Sequence, residues 1–455
     1  MNAPNHASKH EFNDKSGQRG RISIFKFRYV SKIAQTGPPI AAALMLAALL
    51  RLVLAFVVEY VAVRRGTRCL FGDTEIYWQY GLAIAEGRPY VVYQWDVPHF
   101  ALRTPGYPLW LAVFIRLLGT STLWIRIGQA GLGTLAVWWI YKLARQLRFS
   151  ERTSRWAALL LAVDPFQAMQ SGFLLTEAVF SPLLLLFLLG WAKVFETETG
   201  KSSRFHAATH FFALGAAQAG LALIRPAWGP FLLVLIVVNL FYLMKLQKIH
   251  LSRAMAFQAV LLAGWFMVML PWVVRNERLT GRAAIGGTWG GASLYDGVRP
   301  GADGSSEMSF VGDEAFRQLP ETEQDDCWKA LSWQEIKIDP GRIGRLAIAK
   351  QARFWSAWPL ERSANRWWLK VICGLIVWPV WLACGFGLIG QRGKTDWRGW
   401  VILSLPLVVT ALEHTLFVGS SRYRIAVFSP MLIWAAEGWN LILSRYSDSD
   451  GIEPD

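Results

Sequence analysis

Asp73 stands in the run Phe71-Gly72-Asp73-Thr74-Glu75-Ile76-Tyr77, and a second acid, Glu177, closes Leu174-Leu175-Thr176-Glu177 where an apolar stretch begins. A carboxylate in a partly desolvated cleft can take the proton of an attacking hydroxyl. Arginines occupy comparable borders: Arg103 in Arg103-Thr104-Pro105-Gly106-Tyr107-Pro108, Arg225-Pro226, Arg275-Asn276 shortly after Pro271-Trp272, and Arg422-Tyr423-Arg424. The guanidinium fork matches phosphate oxygens, so this set suits an anionic leaving group. Each residue also has a plainer reading. Asp73, Tyr77, Tyr80 and Ile84 lie on one face of a helix that starts at Asp73, which could serve only as its N-cap. Glu177 could be a solvated interfacial acid, and a lone arginine could snorkel to lipid headgroups.

These residues must be positioned by an apolar scaffold. The chain is 53% hydrophobic and 17% charged, with 24 tryptophans among 455 residues, which places it in lipid. The net charge of +15 comes from short Lys and Arg clusters between apolar runs, a membrane-topology pattern that speaks against nucleic-acid binding. Residues 1–37 are basic (Lys9, Lys15, Arg19, Arg21, Lys26, Arg28, Lys32) and lack the apolar core of a signal peptide.

A bilayer needs about 20 helical residues, and about ten runs qualify: 40–63, 122–143, 155–174, 178–195, 207–224, 227–245, 254–273, 367–390, 400–418 and 425–443. The third is interrupted by Asp164-Pro165. The expected fold is an all-α polytopic bundle of about 10 spans (roughly 9 to 12), with helices lying along its outer surface. Pro108–Gly119 would reach only roughly 18 Å and is read as one of these. With that segment kept out of the count, the basic loops 142–155, 245–253 and 391–399 share a side with the N-terminus, the cytoplasmic side by the positive-inside rule. The organisation is then a cytoplasmic basic tail (1–37), a transmembrane module (38–273) with a first external loop (64–121), a large external loop or subdomain (274–366), C-terminal helices (367–443) and a cytoplasmic acidic tail (444–455).

Other features carry less. Arg342, Arg345, Lys350, Arg353, Arg362, Arg366 and Lys370, interleaved with tryptophans, suit an interfacial helix on anionic lipid. Arg51 and Glu59 are expected to make an internal polar contact. Cys69 and Cys327 both fall in external loops, where a disulfide could persist, and the cysteines show no zinc-type spacing.

Asp73 with Tyr77, Glu86-Gly-Arg-Pro-Tyr90, Arg103-Thr-Pro-Gly-Tyr-Pro108, Thr176-Glu177, Arg225-Pro226, Pro271-Trp-Val-Val-Arg-Asn276 and Arg422-Tyr-Arg424 together resemble the bacterial GT-C glycosyltransferases. The branch they resemble is the protein-mannosyltransferase and aminoarabinose-transferase group, from about residue 40 to 443. The resemblance implies a membrane enzyme that moves a sugar from a polyprenyl-phosphate donor to a lipid, glycan or protein acceptor, with inversion, at the periplasmic face of the inner membrane. Asp73 would be the base and Glu177 a second catalytic acid. Arg103, Arg225, Arg275, Arg422, Tyr423 and Arg424 would hold the donor phosphate, and Glu75, Tyr77, Tyr107 and Asn276 would line the cleft. No metal ligand is assigned, and a divalent metal stays open. Asp73-Thr74-Glu75 departs from the adjacent Asp-Glu of protein mannosyltransferases, which tells against protein O-mannosylation specifically. A lipid-linked-sugar flippase and a non-catalytic lipid-binding subunit are the competing readings.

Overall fold

The computed structural model describes residues 37–196, 204–360, 366–391 and 396–449. The basic N-terminal tail, Arg362, Arg392, Lys394 and the end of the acidic tail lie outside these residues. Helices follow one another as α1 (Ile40–Arg64), α2 (Gly72–Ala85), α3 (Gly106–Leu118), α4 (Thr122–Gln146), α5 (Glu151–Val163), α6 (Pro165–Gln170), α7 (Glu177–Glu196), α8 (Arg204–Ile224) and α9 (Phe231–Phe241). They continue as α10 (Leu251–Thr280), α11 (Gly290–Val298), α12 (Glu314–Arg317), α13 (Glu321–Ile338), α14 (Pro340–Phe354), α15 (Trp367–Gly390), α16 (Trp397–Glu413), α17 (Ser421–Phe428) and α18 (Met431–Ser449).

The fold is an all-α membrane bundle. Among the described residues, Ile40–Arg64, Glu177–Glu196, Phe205–Ile224, Pro226–Leu246, Leu251–Thr280 and Trp367–Gly390 are long and apolar enough to cross a bilayer. The other expected spans depart for physical reasons. The 155–174 run breaks where Asp164 accepts the N–H groups of Phe166 and Gln167 and starts α6. Helix α16 has 17 residues, short of a full crossing. The final span is bent by 73° between α17 and α18. Helix α4 is long, but carries Arg126, Lys142 and Arg145.

Small residues let the helices approach closely, as packing in lipid favours. A Cβ on Gly215 of α8 would strike the Leu261 carbonyl of α10, and one on Gly438 of α18 would strike Ala383 of α15. Arg51 and Glu59 take separate partners. Buried Arg51 donates to the carbonyls of Leu161 and Ala162 at 3.0 and 3.1 Å, closing the C-terminal end of α5. Glu59 accepts from Thr122 at 2.7 Å and pairs with Arg126 at 3.4 Å.

The short helix α3 lies on α2, with Gly81 against Leu111, and leaves Leu109, Val113 and Leu117 exposed along one face. Between these helices is an element foreign to the all-α expectation, a hairpin of β1 (Val92–Gln94) and β2 (Val97–His99). Its turn residues Trp95 and Asp96 both have positive φ, 48° and 64°, the geometry that matches the twist of a two-residue hairpin.

In the segment between α10 and α15, α11, α13 and the intervening chain close an aromatic core of Ala292, Val311 and Trp328 with Trp289, Tyr295, Phe310 and Phe316. Part of the basic stretch expected to face lipid is engaged within the protein, while Arg345 and Arg366 are exposed. Arg342 binds Glu335, Arg353 binds Asp303, and buried Lys350 donates to the carbonyls of Thr415 and Leu416. Cys69 and Cys327 are unpaired, and the Cys69 thiol donates to Glu75 at 2.8 Å.

Candidate active site

Helix α2 begins at Gly72 and its N-cap position is Phe71, so Asp73 sits inside the first turn and is not the cap. The helix start is docked by Thr74, whose hydroxyl donates to the Leu174 carbonyl at 3.1 Å, and by an edge contact of Phe71 with Phe173. That segment leads directly into Glu177, the first residue of α7. Arg225 follows the last turn of α8, where Pro226 disfavours further helix. Arg422 lies in the first turn of α17, whose N–H at Arg422 is accepted by Ser420.

These distant segments converge. Arg422 binds Glu177 through two nitrogens, Nε to Oε1 at 2.6 Å and Nη2 to Oε2 at 3.2 Å. Arg225 reaches the same carboxylate at 3.2 Å. The other end of Arg422 lies 3.5 Å from Asp73, and Arg103 lies 3.3 Å from the second Asp73 oxygen. The two acids differ sharply in setting: the Glu177 side chain is 3% exposed and that of Asp73 is 41% exposed. Charge-assisted hydrogen bonds run near 2.7–2.9 Å, so Glu177 is engaged on both oxygens while the Asp73 contacts are loose. Three guanidiniums meet two carboxylates, leaving one positive charge in excess.

Aromatic rings frame the cluster. Arg225 lies over Tyr423, Arg103 over Trp289 at 4.4 Å, and Tyr77 meets Tyr107 edge-on at 5.3 Å. Burial pushes the Tyr77 hydroxyl up to about 12, which keeps it protonated. The Tyr107 hydroxyl is buried with no hydrogen-bond partner among the described residues.

Four expected site residues lie elsewhere. Arg275 donates to the carbonyls of Phe100 and Tyr90 and to Asn276, while Asn276 donates to Ala284. Arg424 donates to the carbonyls of Phe354 and Ser356, holding the end of α14. Glu75 points away to Cys69 and Gln79. Conversely, Glu413 and His414 were not anticipated. His414 stacks on Tyr423 at 4.1 Å, and Glu413 lies within electrostatic reach of Arg225 with one oxygen unpartnered among the described residues. Their only sequence signal is an acid–His pair inside an apolar run. No group of three His, Cys, Asp or Glu side chains suited to a metal occurs among the described residues.

An apolar groove of about 570 Å³ lies between α7 and α8. Its wall includes Gly106 and, directly before Arg225, Leu223 and Ile224, and extends to Lys193 and His210. From Ile224 to His210 along α8 is roughly 21 Å.

The bundle shares its fold with a solved membrane protein of the GT-C type. Neither a protein-family model nor a curated protein matches the sequence. Among solved structures, the archaeal oligosaccharyltransferase AglB from Archaeoglobus fulgidus, in complex with an inhibitory peptide and a dolichol-phosphate, aligns at TM-score 0.54 and 14% identity. That alignment covers 91% of this chain and 52% of AglB, so the chain spans about half the length of its match. The same enzyme tethered to an acceptor peptide aligns at TM-score 0.53 and 13% identity, covering 91% of this chain and 51% of that one. ArnT from Cupriavidus metallidurans, bound to undecaprenyl phosphate, aligns at a TM-score of only 0.35 and 14% identity, over 88% of this chain and 79% of ArnT. The GT-C fold expected from the motifs is thus the fold observed.

Proposed function

We propose that this protein is a membrane glycosyltransferase that moves a sugar from a polyprenyl-phosphate donor to an acceptor hydroxyl or amine on the outer face of the inner membrane. The observation that carries the reading is one arrangement. A half-open carboxylate, Asp73, faces Arg103 and Arg422, and an apolar groove runs along α8 to Ile224, the residue before Arg225. The groove suits a polyprenyl tail, and Arg225, next in sequence to its lining residue Ile224, suits the phosphate together with Arg422 and Arg103. AglB is solved with a dolichol-phosphate, a lipid of the same chemical kind.

The reaction is a single inverting displacement. The acceptor atom bonds to the anomeric carbon as the bond from that carbon to the phosphate oxygen breaks. Asp73 receives the acceptor proton, and the excess positive charge stabilises the departing phosphate. Glu177 has no oxygen free for proton transfer. Its role in this scheme is to hold Arg225 and Arg422 at the spacing the phosphate needs.

The test is transfer of a radiolabelled sugar from polyprenyl phosphate to a panel of lipid, glycan and peptide acceptors by purified protein, wild type against Asp73→Asn. Transfer by the wild type and its loss in the variant is the expected result. Equal transfer by both would remove Asp73 as the base. Donor movement between leaflets of a vesicle without transfer would favour a flippase.

A further inference from the structure

The segment carrying Arg103 is held from two sides by charge. Glu321, in the first turn of α13, is 4% exposed and has no cationic side chain within ion-pair distance among the described residues. Its Oε1 accepts the N–H groups of Phe100 and Ala101 at 2.9 and 3.1 Å, and its Oε2 accepts Ala101 N–H at 3.1 Å and the Thr288 hydroxyl at 2.8 Å. From the opposite side Arg275 donates to the Phe100 carbonyl at 2.9 Å. The Phe100 residue therefore lies between a carboxylate at its N–H and a guanidinium at its carbonyl, each charge aligned with the local backbone dipole.

The clamp continues toward the site. Thr288 N–H donates to the Ala101 carbonyl at 2.8 Å, and Gly287, at φ 86°, allows an approach to that carbonyl that a Cβ would crowd at 2.7 Å. The next residue, Trp289, lies over the Arg103 guanidinium, and the Tyr90 hydroxyl donates to the Arg103 carbonyl at 2.9 Å. Trp289 also packs against the core of the external subdomain. A buried carboxylate paired only with backbone and hydroxyl donors is costly to desolvate, and its geometry here is fixed at both oxygens.

We infer that Glu321 is a positioning residue: the external subdomain, through Glu321 and Trp289, sets Arg103 against Asp73 and so completes the phosphate-facing cluster. This rests on the glycosyltransferase reading for its catalytic consequence, but the positioning itself is a physical claim about residues 99–104. Glutamine in place of Glu321 would remove the charge and one of the two acceptor oxygens, so that the carboxylate's four contacts can no longer all be made as they are. It is therefore a disruptive change of nearly constant volume.

Amide hydrogen exchange on the detergent-solubilised full chain tests the clamp without any assay of transfer. Glu321→Gln is expected to speed exchange in the peptide covering residues 99–104 by about tenfold, with Glu321→Asp intermediate. Unchanged exchange in both variants overturns the proposal. In the transfer assay, Glu321→Gln should lower kcat by about tenfold, with the acceptor KM little changed. That loss should vanish in an Arg103→Met background, because both changes act through one guanidinium. Losses that multiply would show a merely structural role and also overturn it. Absent transfer by the wild type would sink the glycosyltransferase reading, while the exchange result would still decide the clamp. Should Glu321→Gln fail to fold, the same comparisons are made with Glu321→Asp and Thr288→Val.

Discussion

The candidate site has two walls, and they are built on different terms. One wall comes from the ends of membrane helices: Glu177 at the start of α7, Arg225 after α8 and Arg422 at the start of α17, sealed together with contacts as short as 2.6 Å. The other comes from the segment between α1 and α4: Asp73 and Arg103, joined at 3.3 Å, with the acid 41% exposed. The same residue types thus serve as scaffold on one side and as available chemistry on the other. A carboxylate whose oxygens are filled by guanidiniums can hold arginines but has no lone pair to spare. A loosely held carboxylate at a helix start can exchange its partners for an incoming acceptor.

The largest effect expected from this contrast separates the two acids by readout. Asp73→Asn should lower transfer by about 10²–10⁴-fold while changing stability by less than about 1 kcal/mol, since its contacts are long and half exposed. Glu177→Gln should lower transfer as well, by releasing Arg225 and Arg422, but its distinguishing effect is on stability. It leaves Arg225 and Arg422 beside a buried neutral amide, and should cost about 3 kcal/mol of stability, seen as a lower melting temperature in detergent. Equal stability losses in the two variants would erase the distinction between the walls.

A smaller effect distinguishes arginines that face the cavity from those spent on backbone. Arg103→Met should lower kcat/KM for the donor by about 10–100-fold with little change in melting temperature. Arg424→Met should do the opposite, because its guanidinium serves the carbonyls of Phe354 and Ser356. A loss of about 1–3 kcal/mol of stability with transfer intact in the surviving fold is the expected outcome. Loss of donor binding in Arg424→Met, at unchanged stability, would return that residue to the site.

Much of this was legible in the sequence because membrane topology sorts residues by border. Asp73, Glu177, Arg225 and Arg422 each stand where an apolar run begins or ends, so their gathering at one end of the bundle could be read from loop charge. What could not be read is the target of each side chain. Arg275 and Arg422 look alike as sequence, yet one reaches the carbonyls of Tyr90 and Phe100 and the other a buried carboxylate. Glu321 resembles any acid in a first helical turn after proline, and only the tertiary approach of the loop at Phe100 gives it a role. The break at Asp164 was visible as Asp164-Pro165, whereas the 425–443 run satisfied an apolar count while concealing a 73° bend. Hydropathy measures the cost of burial, which a capped or broken helix can meet as well as a straight one.

The smallest effect concerns the turn that precedes Arg422, and it tests whether the sealed wall extends into the external subdomain. Lys350 of α14 is fully buried, and its ammonium donates to the carbonyls of Leu416 and Thr415 at 2.6 and 3.2 Å. Gly419, in the same turn, donates its N–H to the Gly304 carbonyl at 2.9 Å. Burial brings the Lys350 ammonium down to about 8, with Asp296 opposing that shift and Arg342 adding to it. The folded chain therefore binds fewer protons here than the unfolded chain between pH about 8 and the ordinary lysine value near 10.4, and stability contributed by this group rises with pH across that window. Melting measured at pH 7.5 and 9.5 should show a wild-type gain of about 1–2 kcal/mol relative to Lys350→Met. Methionine removes the titrating group while filling similar space, so only the pH slope, and not the level of stability, carries the inference. Identical slopes in the two proteins would mean that the ammonium is hydrated in solution, and that the turn before Arg422 is held by the Gly304–Gly419 contact instead.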